Sequence, residues 1–429
     1  MSFENPACDE LRSKIPEHWD VQPLDAVTDF QEGPGILAID FRDTGIPLLR
    51  LRNIELPTVQ LSGCNFLDIA KVASKWKHFE LKVGDLLIST SASLGRVSVV
   101  GKDAAGSIAY TGIIRFRSSS KFLHHEYLRA FLSSSVFVEQ AEKMATGSVI
   151  RHFGPSHLRQ MAITLPSIKE QVQIAEIFDS LDDRISLLRE TNTTLEAIAQ
   201  ALFKSWFVDF DPVRAKQHGN APQGMDAATA ALFPDSFEES ELGEVPKGWK
   251  FGSLRDAVTI FDSKRIPLAG QDRAKRQGIY PYYGAAALMD HVDDFLFDGI
   301  YFLMGEDGSV ADSDGFPITQ YVWGKIWVNN HAHVLQGNNG ISTEHLMLYV
   351  KQINVNPYIT GAVQAKLSQS NMWRIPFLMP QKEIAVEFGK LIEPLFDKIR
   401  HNSDQIKTLT ELRDTLLPRL ISGQLRLPA

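Results

Sequence analysis

The chain repeats one layout twice, and this internal duplication limits the folds that are open to it. The stretch IPEHWDVQPLDAV at 15–27 returns as VPKGWKFGSLRDAV at 245–258. Two further related stretches, TGSVIRHFGPSHLRQMAITLP and TGAVQAKLSQSNMWRIPFLMP, end at Pro166 and Pro380, and a helical pattern follows each proline. Because a repeat in sequence reports a repeated structural unit, the sequence predicts two similar globular units, each followed by a long helix.

The duplication divides the 429 residues into five segments. The linker between the halves contains six acids and no Lys or Arg between Gln217 and Pro246, so it supplies six of the eight net negative charges. The rest of the chain is near neutral, and the net charge therefore does not exclude a nucleic-acid ligand. The predicted segments are a first globular unit at 1–164, a central long helix at 165–210, an acidic, solvated linker at 211–244, a second globular unit at 245–379 and a distal long helix at 380–423.

Each globular unit has the pattern of an α+β fold. The stretches GDLLISTSASLGRVSVVG at 84–101 and GKIWVNNHAHVLQG at 324–337 predict short strands on either side of a turn. The stretch HEYLRAFLSSSVFVEQAEKM at 125–144 predicts helix. Strands mixed with helices in this way indicate an α+β class with mixed sheets.

The two long helices carry matched heptad seams, which are typical of a coiled coil. One asparagine interrupts each otherwise mostly apolar seam. In steps of four and three, the seam positions are Ile174, Phe178, Leu181, Ile185, Leu188, Asn192, Leu195, Ala199, Leu202 and Trp206 in the first helix, and Phe388, Ile392, Leu395, Ile399, Asn402, Ile406, Leu409, Arg413, Leu416 and Leu420 in the second.

The lone asparagines suggest a register. A polar seam residue reduces stability but fixes register when it meets a second polar group. Antiparallel packing with Asn192 opposite Asn402 matches apolar with apolar residues except where Arg413 faces Leu181, and the Arg413 head is expected to reach solvent. The alternatives are that each helix packs on its own globular unit, or that the helices also pair with another subunit. A helix of about forty residues is roughly 60 Å long, which suits DNA with two separated half-sites.

Nearly the whole chain resembles the specificity subunits of type I restriction–modification systems. The stretch at 165–213, with ALFKSWFVDFDP, is similar to the central shared region of that family, and LTELRDTLLPRLISGQLRL at 409–427 is similar to its distal shared region. The stretch from RIPLAG at 265 to VNNHAHVL at 328–335 looks like one type of target-recognition domain. The first unit, with GIPLLRLRNI at 45–54, looks like another type.

The resemblance implies a function in DNA recognition. Each globular unit would be a target-recognition domain that reads one half of a bipartite, asymmetric site in double-stranded DNA, and the antiparallel coiled coil would set the spacer. Two methyltransferase (modification) subunits would dock on the helices and methylate adenine, and two restriction (translocase–nuclease) subunits would join optionally. The resemblance implies S-adenosylmethionine, ATP and magnesium for the partner subunits only.

Motifs for catalysis by the chain itself are missing from the sequence. NPYIT at 356–360 lacks the second proline of the adenine-binding motif of amino-methyltransferases, and no Gly-Lys-Ser/Thr phosphate loop is present. GEDGS at 305–309 is expected to be a polar turn, and the distant Cys8 and Cys64 predict neither a disulfide nor a zinc site. We therefore expect a non-catalytic, cytoplasmic protein without cofactor, metal or membrane segment. A coiled-coil scaffold that organises partner proteins without reading DNA is the alternative.

Candidate DNA contacts are residues that can bind phosphates or base edges. A nearby acid or plain solvation would explain each of them equally well, and His331 and His333, placed on one face of a strand, form too small a set for a metal site. In the first unit the candidates are Arg50 and Arg52 on one strand face, Asn53, the turn residues Ser89, Thr90, Ser91, Ser93 and Arg96, and, by resemblance, Thr146, Gly147, Ser148 and Arg151. In the second unit they are Lys264, Arg265, Arg273, Arg276, Tyr283, His331, His333 and, by resemblance, Lys366.

Overall fold

The computed structural model describes residues 6–54, 57–90, 96–144, 153–361 and 364–427. It separates into two compact units. Unit 1 comprises Met1–Arg189 with Asp404–Ala429, and unit 2 comprises Glu190–Ser403.

Unit 1 contains, among its described residues, two four-stranded sheets with the strand orders β2-β9-β6-β7 and β3-β5-β4-β8, and a separate β1–β10 pair. Its helices are α1 (Pro6–Arg12), α2 (Leu24–Val27), α3 (Ile69–Lys71), α4 (His125–Ser133), α5 (Ser135–Met144), α6 (Pro155–Leu158) and the start of the central helix, α7 (Ile168–Phe207). Its strands are β1 (Asp20–Pro23), β2 (Thr28–Glu32), β3 (Phe41–Arg42), β4 (Ile46–Leu49), β5 (Asn65–Leu67), β6 (Leu86–Ser89), β7 (Val97–Val99), β8 (Ile108–Ala109), β9 (Ile113–Ser118) and β10 (Ala162–Leu165).

Unit 2 is built, in the part of the chain that the structure describes, around a six-stranded sheet with the order β14-β19-β17-β18-β15-β16. Its helices are α8 (Asp211–Gln217), α9 (Ala227–Leu232), α10 (Leu254–Ala257), α11 (Gly270–Lys275), α12 (Thr343–Val350), α13 (Gln369–Met372) and the start of the distal helix, α14 (Lys382–Ile421). Its strands are β11 (Phe237–Ser240), β12 (Gly243–Pro246), β13 (Lys250–Ser253), β14 (Val258–Ile260), β15 (Gln277–Tyr283), β16 (Leu288–Val292), β17 (Phe297–Gly305), β18 (Thr319–Val328), β19 (Ala332–Gly337) and β20 (Pro376–Met379).

The predicted α+β class with mixed sheets is confirmed. Most strand pairs are antiparallel, but β4 runs parallel to β8 and β15 runs parallel to β18. The predicted strands at 84–101 are β6 and β7, which pair with each other. The two strands predicted at 324–337 are β18 and β19, and β17 lies between them in the sheet.

The sequence repeat is also a structural repeat. In unit 1, β1 pairs antiparallel with β10, and in unit 2, β13 pairs antiparallel with β20. A buried tryptophan precedes the first strand of each pair: Trp19 is 8 % exposed and Trp249 is 1 % exposed. Each pair joins the start of a unit to the strand that leads directly into a long helix.

The central and distal helices are antiparallel. In the core of unit 1, Phe178 near the start of the central helix packs in the same cluster as Leu417 and Leu420 near the end of the distal helix. In unit 2, Phe207 at the end of the central helix lies 4.8 Å, between ring centroids, from Phe388 near the start of the distal helix. The predicted antiparallel coiled coil is thereby confirmed.

The two seam asparagines are hydrogen-bonded to each other. Asn402 Nδ2 donates to Asn192 Oδ1 at 2.8 Å. Asn192 Nδ2 in turn lies 3.1 Å from Ser403 Oγ and 3.2 Å from the Ile399 carbonyl oxygen. This is the contact that the antiparallel register requires, and the partly buried polar pair disfavours neighbouring registers because a shift would place the buried Asn402 amide among apolar side chains.

The Arg413 head does not reach solvent as the seam pattern suggested. Its guanidinium lies 3.0 Å from Asp182 and 2.9 Å from Asp414, and the side chain is 20 % exposed. Asp182 is itself buried at 7 % exposure. An arginine on the seam is tolerated because the neighbouring helix supplies a carboxylate for it.

The acidic linker is folded rather than a solvated connector. It forms α8, α9 and the β11–β12 hairpin. Val213 and Phe233 are buried in the core of unit 2, and Phe233 lies edge-on to Trp206 with ring centroids 5.0 Å apart. These few apolar residues cover the aromatic end of the central helix. The high acid content of the segment indicates a solvated linker from the sequence alone, despite these residues.

Candidate nucleic-acid interface

The two arginines of the first unit do not share a strand face. Strand β4 ends at Leu49, and Leu51–Asn53 form a 3-10 turn. The Arg50 guanidinium carbon lies 4.9 Å from the Phe41 ring centroid, whereas Arg52 is exposed and donates to the Gly63 carbonyl oxygen. Across the described residues no carboxylate pairs with either guanidinium, so both arginines keep a positive charge that an acid does not neutralise.

Asn53 has a structural position. Its side chain is fully buried. Its Oδ1 accepts from the Arg50 amide at 2.9 Å, and its Nδ2 donates to the carbonyl oxygens of Gln60 at 3.0 Å and Ser62 at 2.9 Å. These bonds use the polar atoms of the amide to hold the loop, so the side chain offers no group to DNA in this conformation.

The Ser-rich turn is described only at its ends. Ser89 and Thr90 are buried, at 5 % and 4 % exposure, whereas Arg96 is exposed. The Phe153 amide donates to the Thr90 carbonyl oxygen at 3.3 Å, which holds the described ends of the two candidate loops of this unit together. Six predicted contacts lie outside the described residues: Ser91, Ser93, Thr146, Gly147, Ser148 and Arg151.

The structure gathers four predicted contacts of unit 2 into one charged cluster, hereafter the acid–base cluster. The four bases face three acids across short distances, so this cluster is largely self-neutralised. The GEDGS turn contributes two of the acids, in agreement with its interpretation as a polar turn. The bases are Arg265, His331, His333 and Lys366, and the acids are Asp262, Glu306 and Asp307.

His333 and His331 do not lie on one strand face as the sequence suggested. Strand β19 begins at Ala332, so His331 precedes it and pairs with Asp307. His333 is fully buried, with Nδ1 2.6 Å from Asp262 Oδ2 and Nε2 2.8 Å from the Leu367 carbonyl oxygen. Both nitrogens of the His333 ring therefore have a hydrogen-bond partner within the unit.

Asp262, Glu306 and His333 bring three potential metal-ligand atoms within 4.8 Å of one another. The positive charge between these acids is already supplied by Arg265, whose Nη1 lies 2.7 Å from Glu306 and whose Nη2 lies 3.3 Å from Asp262. Both ring nitrogens of His333 are already engaged in hydrogen bonds, so the imidazole presents no unoccupied nitrogen to a metal. The geometry is that of an ion-pair network that ties β19 to the loop after β17.

The basic segment after β14 is also partly neutralised. Arg273 pairs with Asp290 at 3.2 Å, and Arg276 pairs with Asp293 at 2.8 Å. Each guanidinium also stacks on a ring of its own unit: Arg273 over Tyr282, and Arg276 over Trp327, at 5.1 and 4.9 Å from the ring centroids.

The two remaining candidates of unit 2 differ in their exposure to solvent. Tyr283 is half-buried, and burial raises the pKa of its phenol. Lys264 is exposed and lies over the Phe261 ring, without a carboxylate partner among the described residues. Of the segment that begins at Lys264, this lysine is therefore better placed to meet an anion than the two paired arginines.

Comparison with known proteins decides the family. The type I restriction modification DNA specificity domain matches residues 67–197 and 246–411, more than half of the chain. The chain belongs to this family of DNA specificity proteins. It is 26 % identical over 410 residues to the HindI specificity subunit of Haemophilus influenzae, covering 80 % of this chain and 87 % of that subunit. It is 24 % identical to the MjaIX specificity subunit of Methanocaldococcus jannaschii, with 96 % and 95 % covered.

A solved structure agrees with the fold. The crystal structure of the type I restriction–modification S subunit from M. genitalium superposes with a TM-score of 0.52 at 17 % identity, covering 96 % of this chain and 97 % of that one. In this specificity protein each family match takes in part of a globular unit and most of the long helix that follows it. Sequence-specific DNA recognition by this family thus corresponds to the duplicated unit described above. No helix in the described part of the chain has the length and apolarity to span a membrane.

Some residues that shape unit 1 were not identified from the sequence. Arg129 of α4 bonds Asp179 and Asp182 of the central helix. Asp182 also binds Arg413 of the distal helix, so one buried carboxylate joins three helices. The only signal in the sequence was the misplaced Arg413 on an apolar seam, which requires an anion but does not say where that anion comes from.

Proposed function

We propose that this chain reads a bipartite, asymmetric sequence in double-stranded DNA, with one half-site per globular unit and the helical pair setting the spacer between them. The observation that carries the proposal is the duplication of a DNA specificity domain on one chain, with both copies continuing into helices held in register by Asn192 and Asn402. Two linked readers on one chain recognise a split target because each contributes its own base contacts.

The chain directs chemistry rather than performing it. Two methyltransferase subunits bind it and methylate adenine within the target, and two restriction subunits join them where DNA is to be cleaved. S-adenosylmethionine, ATP and magnesium belong to those partners, and this chain carries no cofactor. It acts in the cytoplasm, where the DNA is. The names of the similar proteins, specificity subunits of type I restriction enzymes, support this assignment.

The cations without an acid partner are the best candidates for the phosphate contacts. Among the predicted contacts that the structure describes, these are Arg50, Arg52 and Arg96 in unit 1 and Lys264 in unit 2. The loosely paired Lys366 lies 3.4 Å from Glu306, with its side chain 47 % exposed. Phosphate contacts provide affinity and fix the register on DNA, whereas bases are read by other groups. Asn53 and His333 serve instead as framework residues that hold the loops in place.

The test is to map N6-methyladenine in DNA from cells that express this chain together with its methyltransferase subunit. We expect methylation at a split motif, with two short defined blocks around a spacer of fixed length. Cells with the methyltransferase subunit alone are the control and should lack the motif. An assembled complex without any chain-dependent methylation would contradict DNA recognition and favour the coiled-coil scaffold.

A further inference from the structure

A cavity of about 710 Å³ in unit 1 is lined by four arginines. It lies beside the start of β7, the start of α5 and the two long helices. Its size is within the range of pockets that hold small molecules, about 300–1,000 Å³. The charged residues of its lining are Arg96, Arg129, Arg189, Arg413, Asp182 and Asp414.

Two of these arginines are held firmly in place. Arg129 is 9 % exposed and bonds Asp182 and Asp179, while Arg413 bonds Asp182 at 3.0 Å and Asp414 at 2.9 Å. Since the buried Asp182 binds both guanidinium groups, their positions are fixed before any ligand arrives. Preorganised donors bind more tightly because little conformational freedom is lost on binding.

The lining has more positive than negative charge. Four arginines against Asp182, Asp414 and Asp179, the second partner of Arg129, leave a formal charge of +1. Arg96 is exposed, and no carboxylate among the described residues pairs with it. Ser133 and Ser135 also line the cavity with hydroxyl groups, whereas the Ser134 hydroxyl donates to the Phe131 carbonyl oxygen. Arginine forks and hydroxyl groups are the donors that match the oxygens of phosphate.

We propose that this cavity is an oxyanion site that takes a phosphate group. The phosphate comes either from the DNA backbone or from a free nucleotide, and the two sources share this chemistry. The DNA source rests on the proposed function, in which unit 1 reads one half-site. Arg96 supplies the direct contact at the rim, while Arg129 and Arg413, whose guanidinium groups are already paired with carboxylates, hold the walls of the cavity in a fixed geometry.

The experiment uses the full chain in complex with its methyltransferase subunits and inorganic pyrophosphate as the probe, with binding measured by calorimetry. Arg96→Ala removes an exposed cation, and we expect pyrophosphate binding to weaken about tenfold. Arg159→Ala is the matched control, because Arg159 is also exposed in unit 1 but does not line the cavity. The control should bind like wild type.

A second variant is expected to strengthen binding, which misfolding cannot imitate. Asp414 is an acid of the lining whose side chain is 58 % exposed. Asp414→Asn removes one negative charge from the lining and leaves Arg413 paired with Asp182 alone, and we expect pyrophosphate to bind about two- to fivefold more tightly. Equal affinity of wild type, Arg96→Ala and Asp414→Asn would overturn the proposal, as would the absence of binding by wild type.

Competition identifies the source of the phosphate. If DNA supplies it, the target duplex displaces pyrophosphate; if only a nucleotide supplies it, ATP displaces pyrophosphate and the duplex does not. Displacement by neither overturns the assignment to phosphate. Target methylation is measured in parallel, so that methylation without pyrophosphate binding refutes the cavity alone, whereas loss of chain-dependent methylation refutes DNA recognition itself.

Discussion

Asp182 shows how one buried carboxylate determines the position of two basic side chains. It is 7 % exposed, and it accepts from Arg129 of α4 and from Arg413 of the distal helix. An uncompensated buried charge is strongly unfavourable, whereas one with two cationic partners is tolerated. The contact therefore holds the globular part of unit 1 against both long helices, and it fixes two arginines of the proposed phosphate cavity.

Asp179, one turn before Asp182, provides a prediction about pH. Burial raises the pKa of this carboxyl to about 6, although the Arg129 guanidinium 3.1 Å away acts in the opposite direction. The unfolded chain has a pKa near 3.9, so the folded state holds the proton more tightly. This group therefore reduces stability as the pH rises from about 4 to about 6, and the loss is complete above that range.

We expect Asp179→Asn to remove this dependence on pH. The free energy of unfolding of the variant minus that of wild type should rise by about 1–2 kcal/mol between pH 4 and pH 7. Urea denaturation at a series of pH values measures it. Glu196→Gln, at an exposed position on the same helix and outside the charges that act on Asp179, is the control for a general effect of charge. A difference that stays flat with pH would contradict the assignment.

At the scale of the elements, the contribution of the asparagine pair to the stability of the coiled coil can be tested by mutation. Asn402 is fully buried, and its Nδ2 bonds Asn192. Asn192→Leu leaves the Asn402 amide without its partner, and we expect a loss of about 1–3 kcal/mol in the free energy of unfolding. Replacing both asparagines by leucine should recover most of that loss, because the seam then becomes apolar throughout.

Denaturation of Asn192→Leu, of Asn402→Leu and of the double variant completes a double-mutant cycle. Gln200→Leu, at an exposed position of the central helix, is the control for added apolar surface and should change stability by less than about 0.5 kcal/mol. A double variant less stable than either single variant would mean that the asparagines act independently. The register would then depend on the apolar residues alone.

Local patterns explain why the helices and their register were predictable. The spacing of the seam and the position of a lone asparagine are both contained in one short stretch of sequence, and the asparagine needs only one partner of its own kind. The sheet order was not predictable, because β17 separates β18 from β19 by pairing with both. Neighbours in a sheet are determined by tertiary packing, which residue spacing does not encode.

The basic residues show the same limit at the candidate site. In the sequence, Arg273 and Arg276 have no evident acid partner. In the fold, Asp290 and Asp293 form ion pairs with them. Their acid partners lie on or beside β16, and the sequence alone does not reveal that this strand returns alongside β15. Residue type therefore identified groups that can bind phosphate, whereas only the fold distinguishes those that are already paired.

At the scale of the whole chain, an ion pair joins the globular part of each unit to a long helix, and the positive and negative partners are exchanged between the two units. In unit 1 the globular part supplies Arg129 and the central helix supplies Asp182. In unit 2 the globular part supplies Glu344, and the distal helix supplies Arg400 at 3.3 Å. Tyr321 strengthens the second junction, since its hydroxyl donates to Glu344 at 2.6 Å. The duplication thus kept the fold but not the charges, so each globular unit matches its own helix.

The proposed role of the helices leads to a prediction about the DNA target. Seven residues added to both helices lengthen the pair by about 10.5 Å at 1.5 Å per residue and preserve the heptad seam. At about 3.4 Å per base pair this corresponds to about three base pairs. Inserting one heptad after Leu195 and one before Ile399 places both additions on the same side of the asparagine pair.

We expect the methylated motif of this variant to keep both defined blocks and to gain about three base pairs of spacer. Mapping N6-methyladenine measures it. A heptad in the central helix alone is the control, and it should abolish methylation because the distal seam then lacks partners for the added residues. An unchanged spacer in the double insertion would show that the helical pair does not set the distance. The blocks themselves should not change, because the proposed function assigns the base contacts to the globular units and not to the helices.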